Sequence, residues 1–120
     1  MIRFSIHQKI IIMYLGNTQV GYLEFIYPND KARYRNIEIT WIEIYKKYRK
    51  RKYGTLLLEY FIDTFKDKVW ISLWTSKEME KNKSYTFYTK VGFKEAIVQD
   101  DYYAKGIPTR LFILRNKGLK

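Results

Sequence analysis

The sequence predicts one mixed domain of the α/β (α+β) class, a mainly antiparallel central sheet with two helices in its second half. Three observations carry that expectation. Apolar, often β-branched residues alternate with polar ones between Ile2 and Tyr45, the two-residue period of strands. The period becomes helical at Leu57, Leu58, Phe61, Ile62 and Phe65, where Glu59, Asp63 and Lys66 fall on the other side. A length of 120 residues with 47% hydrophobic content supports one core and not two, so residues 1–120 read as a single domain.

The elements follow in order. "IRFSI" and "KIIIMYL" read as strands, and Gly16-Asn17 supplies the hairpin turn into the return strand "VGYLEFIYP". Pro28-Asn29-Asp30 ends that strand, and Arg35 to Tyr45 alternates through another. A helix is expected from Gly54-Thr55 to about Lys66. "KVWISLWT" is almost continuously apolar, the mark of a central strand buried on both faces. The polar segment "SKEMEKN" leads into a short helix, "KSYTFYTKV", closed by Gly92. "FKEAIVQDDYYAK" and "TRLFILRN" form a last pair of strands around Lys105-Gly106-Ile107-Pro108. The order is β-β-β-β-α-β-α-β-β.

Composition narrows the chemistry. With no cysteine and only His7 as histidine, zinc-thiolate sites, thiol nucleophiles and histidine triads are not expected, and no metal site is expected. The longest apolar run, Ile10 to Leu15, is too short to span a bilayer. The N-terminal "MIRFSIHQ" has no extended apolar region. A cytoplasmic protein without a membrane partner is therefore the expectation. A net charge of +11 favours an anionic partner in general: nucleic acid, a phosphorylated cofactor, an acidic protein or a membrane surface.

The charge is concentrated in "YKKYRKRKYG", where six of the eight residues from Tyr45 to Lys52 are Lys or Arg. This loop enters a helix, and helix starts present unpaired N–H groups and a positive dipole end to anions. The alternative is a solvated basic loop, or a phosphate-backbone patch for DNA or RNA.

Two segments, Ile42 to Asp63 and "FYTKVGFKE" from Phe87 to Glu95, resemble motifs of the GCN5-related N-acetyltransferases. The first is similar to that family's strand-loop-helix, with its loop pattern Gln/Arg-x-x-Gly-x-Gly/Ala read here as Arg49-Lys50-Arg51-Lys52-Tyr53-Gly54. The second is similar to its Tyr-x-x-x-Gly-Phe helix end. "VWISLWT" stands between them, where the family has its fifth strand. The resemblance implies the acyl-CoA N-acyltransferase fold and acetyl-CoA as cosubstrate. It places pyrophosphate on the backbone from Arg51 to Thr55, with charge from Arg49, Lys50, Arg51 and Lys52, and the pantetheine arm along Ile42, Glu43 and Ile44. There are departures. The first motif glycine is Lys52, leaving Gly54 alone, and the family's asparagine position is Lys81, with Asn82 beside it. There is no room for helices between the first two strands, so the acceptor side is expected to be open or walled by a second subunit.

Acetyl transfer to an amine needs a base for the ammonium, a donor for the developing oxyanion and an acid for the departing thiolate. The resemblance implies Tyr88 as the acid. Glu38 lies eleven positions before Arg49, the offset of the glutamate base in the family's histone acetyltransferase branch. By period two it is expected to share a face with Thr40, Ile42 and Ile44. The other common base position reads as Ser72. The acceptor amine is not legible, although strong positive charge argues against histone-like basic tails, and an open acceptor side would suit a protein or bulky acceptor better than a small enclosed amine. Two rival functions stay open: a degenerate coenzyme-binding or dimerisation module, and a basic nucleic-acid-binding protein. The aromatic content of 18% also suggests a homodimer.

Overall fold

Tight turns build the first half of the sheet. The computed structural model describes residues 1–28 and 35–116. Gln8 and Lys9 alone join β1 (Ile2–His7) to β2 (Ile10–Leu15), and Gly16-Asn17 joins β2 to β3 (Thr18–Ile26). Gly16 takes a φ of +62°, a conformation glycine adopts without penalty. The expected turn residues Asn29 and Asp30 lie outside the described residues. Beyond them come β4 (Asn36–Ile44), a 3₁₀ turn (Lys46–Tyr48), α1 (Tyr53–Thr64), β5 (Trp70–Trp74), α2 (Lys77–Asn82), α3 (Thr86–Val91), β6 (Lys94–Ala104) and β7 (Ile107–Arg115). The sheet order is β1-β2-β3-β4-β5-β7-β6. Among the described strands only β4 and β5 pair in parallel, through the α1 crossover.

Three helices are seen where two were expected. "SKEMEKN" is itself helical, because the Ser76 hydroxyl caps the first turn by accepting from the Met79 N–H at 3.2 Å. Glu78 and Glu80 then meet the positive end of the helix. That polar composition hid the helix from an apolar-period reading.

Leu57, Leu58 and Phe61 of α1 are fully buried with Ile37, Ile39, Ile71 and Leu73 of the sheet. Tyr88 of α3 packs with Phe93 and Phe112 at 5.7–5.8 Å between ring centroids. Glu80 of α2 meets Arg110, which shares a face of β7 with Phe112. All three described helices thus cover one face of the sheet. The other face carries exposed Ile10, Ile26, Trp41, Trp70, Trp74 and Ile97. The expectation for β5 is corrected in this respect. It is central, but covered on one side only, with Trp74 41% exposed.

Two features of β4 set up the site. Glu24 pairs with Trp41 but Phe25 pairs with Ile39, so Thr40 is an extra residue. This bulge resets the alternation. Ile37 and Ile39, then Ile42 and Ile44, pack towards the helix-covered core, while Glu38, Trp41 and Glu43 take the open face. The expected single face of Glu38, Thr40, Ile42 and Ile44 is therefore not observed. In addition, β4 pairs with β5 only from Asn36↔Trp70 to Ile39↔Leu73. Its last residues splay away and leave an unpaired edge. Gly21 permits the close approach of β3 there, since a Cβ would lie 2.5 Å from the Glu43 carbonyl oxygen.

Candidate active site

The basic loop is coiled by two left-handed residues, Lys50 at φ +65° and Lys52 at φ +63°. Lys52 is the N-cap of α1 and offers no side-chain hydrogen bond. The Leu56 N–H bonds the Lys52 carbonyl at 3.1 Å, so the N–H groups of Tyr53, Gly54 and Thr55 precede the first helical bond. Lys52 also stands where the resemblance placed a glycine, and its φ shows why a glycine suits that place. A left-handed non-glycine costs roughly 1–2 kcal/mol, partly offset by glycine's extra unfolded-state entropy. Lys52→Gly is therefore expected to stabilise the fold by about 0.5–1 kcal/mol, read as a higher urea midpoint at unchanged slope.

Facing the helix start is the free edge of β4. The Tyr45 N–H donates to the Val20 carbonyl at 2.9 Å, so alternation turns the backbone groups of Ile44 and Ile42 into the splay. Arg49 Nε donates to the Ile44 carbonyl at 2.8 Å, which ties the loop to this edge. Between edge and helix lies a cavity of about 470 Å³, within the usual range for small-molecule sites.

Ten of the proposed binding residues line this cavity: Ile42, Glu43, Ile44, Arg49, Lys50, Lys52, Tyr53, Gly54, Thr55 and Asn82. Arg51 does not; its guanidinium lies 6.0 Å from the Tyr48 ring centroid. Trp41, Tyr48, Ser76, Glu78, Met79, Ser84 and Phe87 complete the wall. Of these, Ser76 was findable as a helix cap and Phe87 as the neighbour of Tyr88. Gly54 sits at the corner, where a Cβ would be 3.8 Å from both Ile44 and Phe87. Packing alone would accept alanine there.

The fit to acetyl-CoA is good on these observations. The cavity joins a strand edge, an uncapped helix start, three cationic side chains and apolar Ile42, Ile44, Met79 and Phe87. These suit an amide-containing arm and a pyrophosphate.

Tyr88 and Glu38 stand outside the cavity wall. Tyr88 is fully buried, and its hydroxyl meets Met79 Sδ at 3.9 Å, one side chain behind the cavity. Burial raises its pKa well above the usual phenol value, so the hydroxyl stays protonated. Glu38 lies on the open face beside Ser72, one residue short of the splay. Partial burial raises its carboxyl pKa.

A polar network buttresses α2. The Glu80 carboxylate accepts from Arg110 Nε at 3.0 Å and from the buried Thr75 hydroxyl at 2.7 Å. Arg110 also donates to Glu95 at 2.8 Å, and its guanidinium lies over the Tyr85 ring at 4.8 Å. Its pKa is raised, first by the Glu95 hydrogen bond.

Comparisons with known proteins agree with this geometry. No curated protein matches the chain. Among solved structures, the ribosomal-protein-S18-alanine N-acetyltransferase from Escherichia coli is similar at a TM-score of 0.75 and 15% identity, covering 92% of this chain and 72% of that one. A GNAT acetyltransferase from Elizabethkingia anophelis with acetyl-CoA bound gives 0.74 at 14% identity, covering 88% and 74%. An aminoglycoside 6′-N-acetyltransferase complexed with coenzyme A gives 0.71 at 17% identity, covering 91% and 74%. The family model for the acetyltransferase (GNAT) family matches residues 3–93, and with it the splayed strand, the basic loop and the helix behind them find their place: this chain belongs to the GNAT acetyltransferase family.

Proposed function

We propose that the protein is an acetyl-CoA-dependent N-acetyltransferase working by direct transfer to an amine. The observation that carries this reading is the meeting of the unpaired β4 edge and the uncapped α1 start in one cavity, with Gly54 between them. Bound acetyl-CoA supplies the activated acetyl group. The N–H groups of Gly54 and Thr55, with Arg49, Lys50 and Lys52, hold the pyrophosphate. The backbone of Ile42 and Ile44 orients the arm, and Asn82 reaches it from α2. Glu38 accepts a proton from the acceptor ammonium. Tyr88, kept protonated by burial, donates to the sulfur position once the flexible Met79 thioether swings aside, and takes back the second proton of the amine nitrogen as the C–S bond breaks, so that no buried phenolate persists.

Calorimetric titration with acetyl-CoA at two salt concentrations tests the reading. One-to-one binding is expected, and Gly54→Asp should weaken it about 30-fold, roughly 2 kcal/mol. An Asp in the first turn favours the helix, so the variant stays folded while repelling an anion. Unchanged affinity in the variant, or nucleic-acid binding that coenzyme A does not compete, would count against the cavity as the cofactor site.

A further inference from the structure

Although the chain carries +11 net charge, the open sheet face is acidic at its centre. Tyr22, Glu24 and Ile26 of β3 lie opposite Glu43, Trp41 and Glu38 of β4. Trp41 Nε1 donates to Glu43 at 3.1 Å. Burial first, then the Glu43 and Glu24 carboxylates, raise the Tyr22 pKa, a sign of local negative potential. Trp74 stands across the splay from this cluster and is 41% exposed. Away from the splay the face turns apolar through Leu111 and Ile97, and described cations come only at its margins, at Arg3, Lys94 and Arg115. Such a face does not suit a second copy laid centre to centre, because the carboxylates of one copy would then meet those of the other. Its charge and exposed indole rings suit one cation with apolar flanks.

We infer that this face docks the acceptor, an extended polypeptide segment that presents a single primary amine between apolar residues. The amine enters the splay between Trp41 and Trp74, next to Glu43 and Glu38, and apolar side chains lie over Leu111 and Ile97. The marginal cations exclude polybasic segments, and a flat face gives a small free amine little to hold. The inference rests on the acetyltransferase reading, which puts the thioester at the splay.

The test uses three acceptors: an N-terminally blocked peptide of about ten residues with one Lys between Val and Leu, the same blocked peptide with Lys flanks, and butylamine. Thiol release from acetyl-CoA gives kcat/KM, and tryptophan fluorescence reports peptide binding without acetyl-CoA. The apolar-flanked peptide should exceed the other two about tenfold or more. Trp74→Ala and Ile97→Lys both lie outside the cofactor cavity and should leave acetyl-CoA affinity unchanged. Ile97→Lys should raise the peptide's KM about tenfold with butylamine turnover unchanged, whereas Trp74→Ala, at the amine's entry, should impair both acceptors. Equal use of butylamine, or no effect of either variant, overturns the inference. So does a dimer in sedimentation that Ile97→Lys dissolves, because the face is then filled by a second copy. Peptide binding with no thiol release from any acceptor leaves the docking face intact and overturns the acetyltransferase reading instead.

Discussion

Glu38→Gln is expected to lower turnover about 10³-fold, within the range of positioned general bases. The carboxylate lies on the open face one residue before β4 leaves β5, beside the splay through which the proposed function brings the amine. Burial raises its pKa and so makes it a stronger base than an ordinary carboxylate. The rate should rise with pH through a limb displaced above the normal carboxyl range, and that limb should vanish in the Gln variant. Stability moves the other way. A carboxyl whose folded pKa is raised contributes stability below its unfolded pKa and loses it as pH rises through the folded one. Glu38→Gln should therefore be no less stable than the wild type at neutral pH. An unchanged profile in the variant would place the base elsewhere.

Arg110→Ala is expected to destabilise the fold by about 3 kcal/mol, the low end for breaking a buried ion pair, because the arginine side chain is 23% exposed. The Glu80 side chain is only 3% exposed. Without the guanidinium it keeps only the Thr75 hydroxyl. The melting temperature should fall by about 10 °C. The double variant Glu80→Met, Arg110→Met should recover most of the loss, since no charge is then stranded. A double variant as unstable as the single would show that packing, not charge, holds α2. The loss should also weaken acetyl-CoA binding, because α2 carries Met79 and Asn82 into the cavity wall.

Much of this was legible in the sequence because it is local. Hairpins, the α1 stripe and the loop-to-helix anion site each depend on residues a few positions apart. The binding residues from Ile42 to Thr55 form one nearly continuous segment, so finding the loop found most of the cavity. What stayed hidden is not local. The Thr40 bulge turns Ile42 and Ile44 from the Glu38 face to the core; its written trace is only the phase slip at Trp41-Ile42, and its place depends on β3 pairing. The Glu80–Arg110 pair spans thirty residues. Tyr88 lies behind Met79 because of how α2 and α3 pack, which no spacing records. The apolar run of β5 suggested burial on both faces, whereas its tryptophans stand open on one.

The most direct single measurement is an amide spectrum of the nitrogen-15-labelled protein with and without coenzyme A. The N–H signals of Ile42, Ile44, Gly54 and Thr55 should shift together and saturate at one equivalent, with those of β1 and β6 unmoved. Saturable binding that leaves these four amides in place, or shifts confined to exposed lysines of the loop, would contradict a cofactor site between the β4 edge and the α1 start.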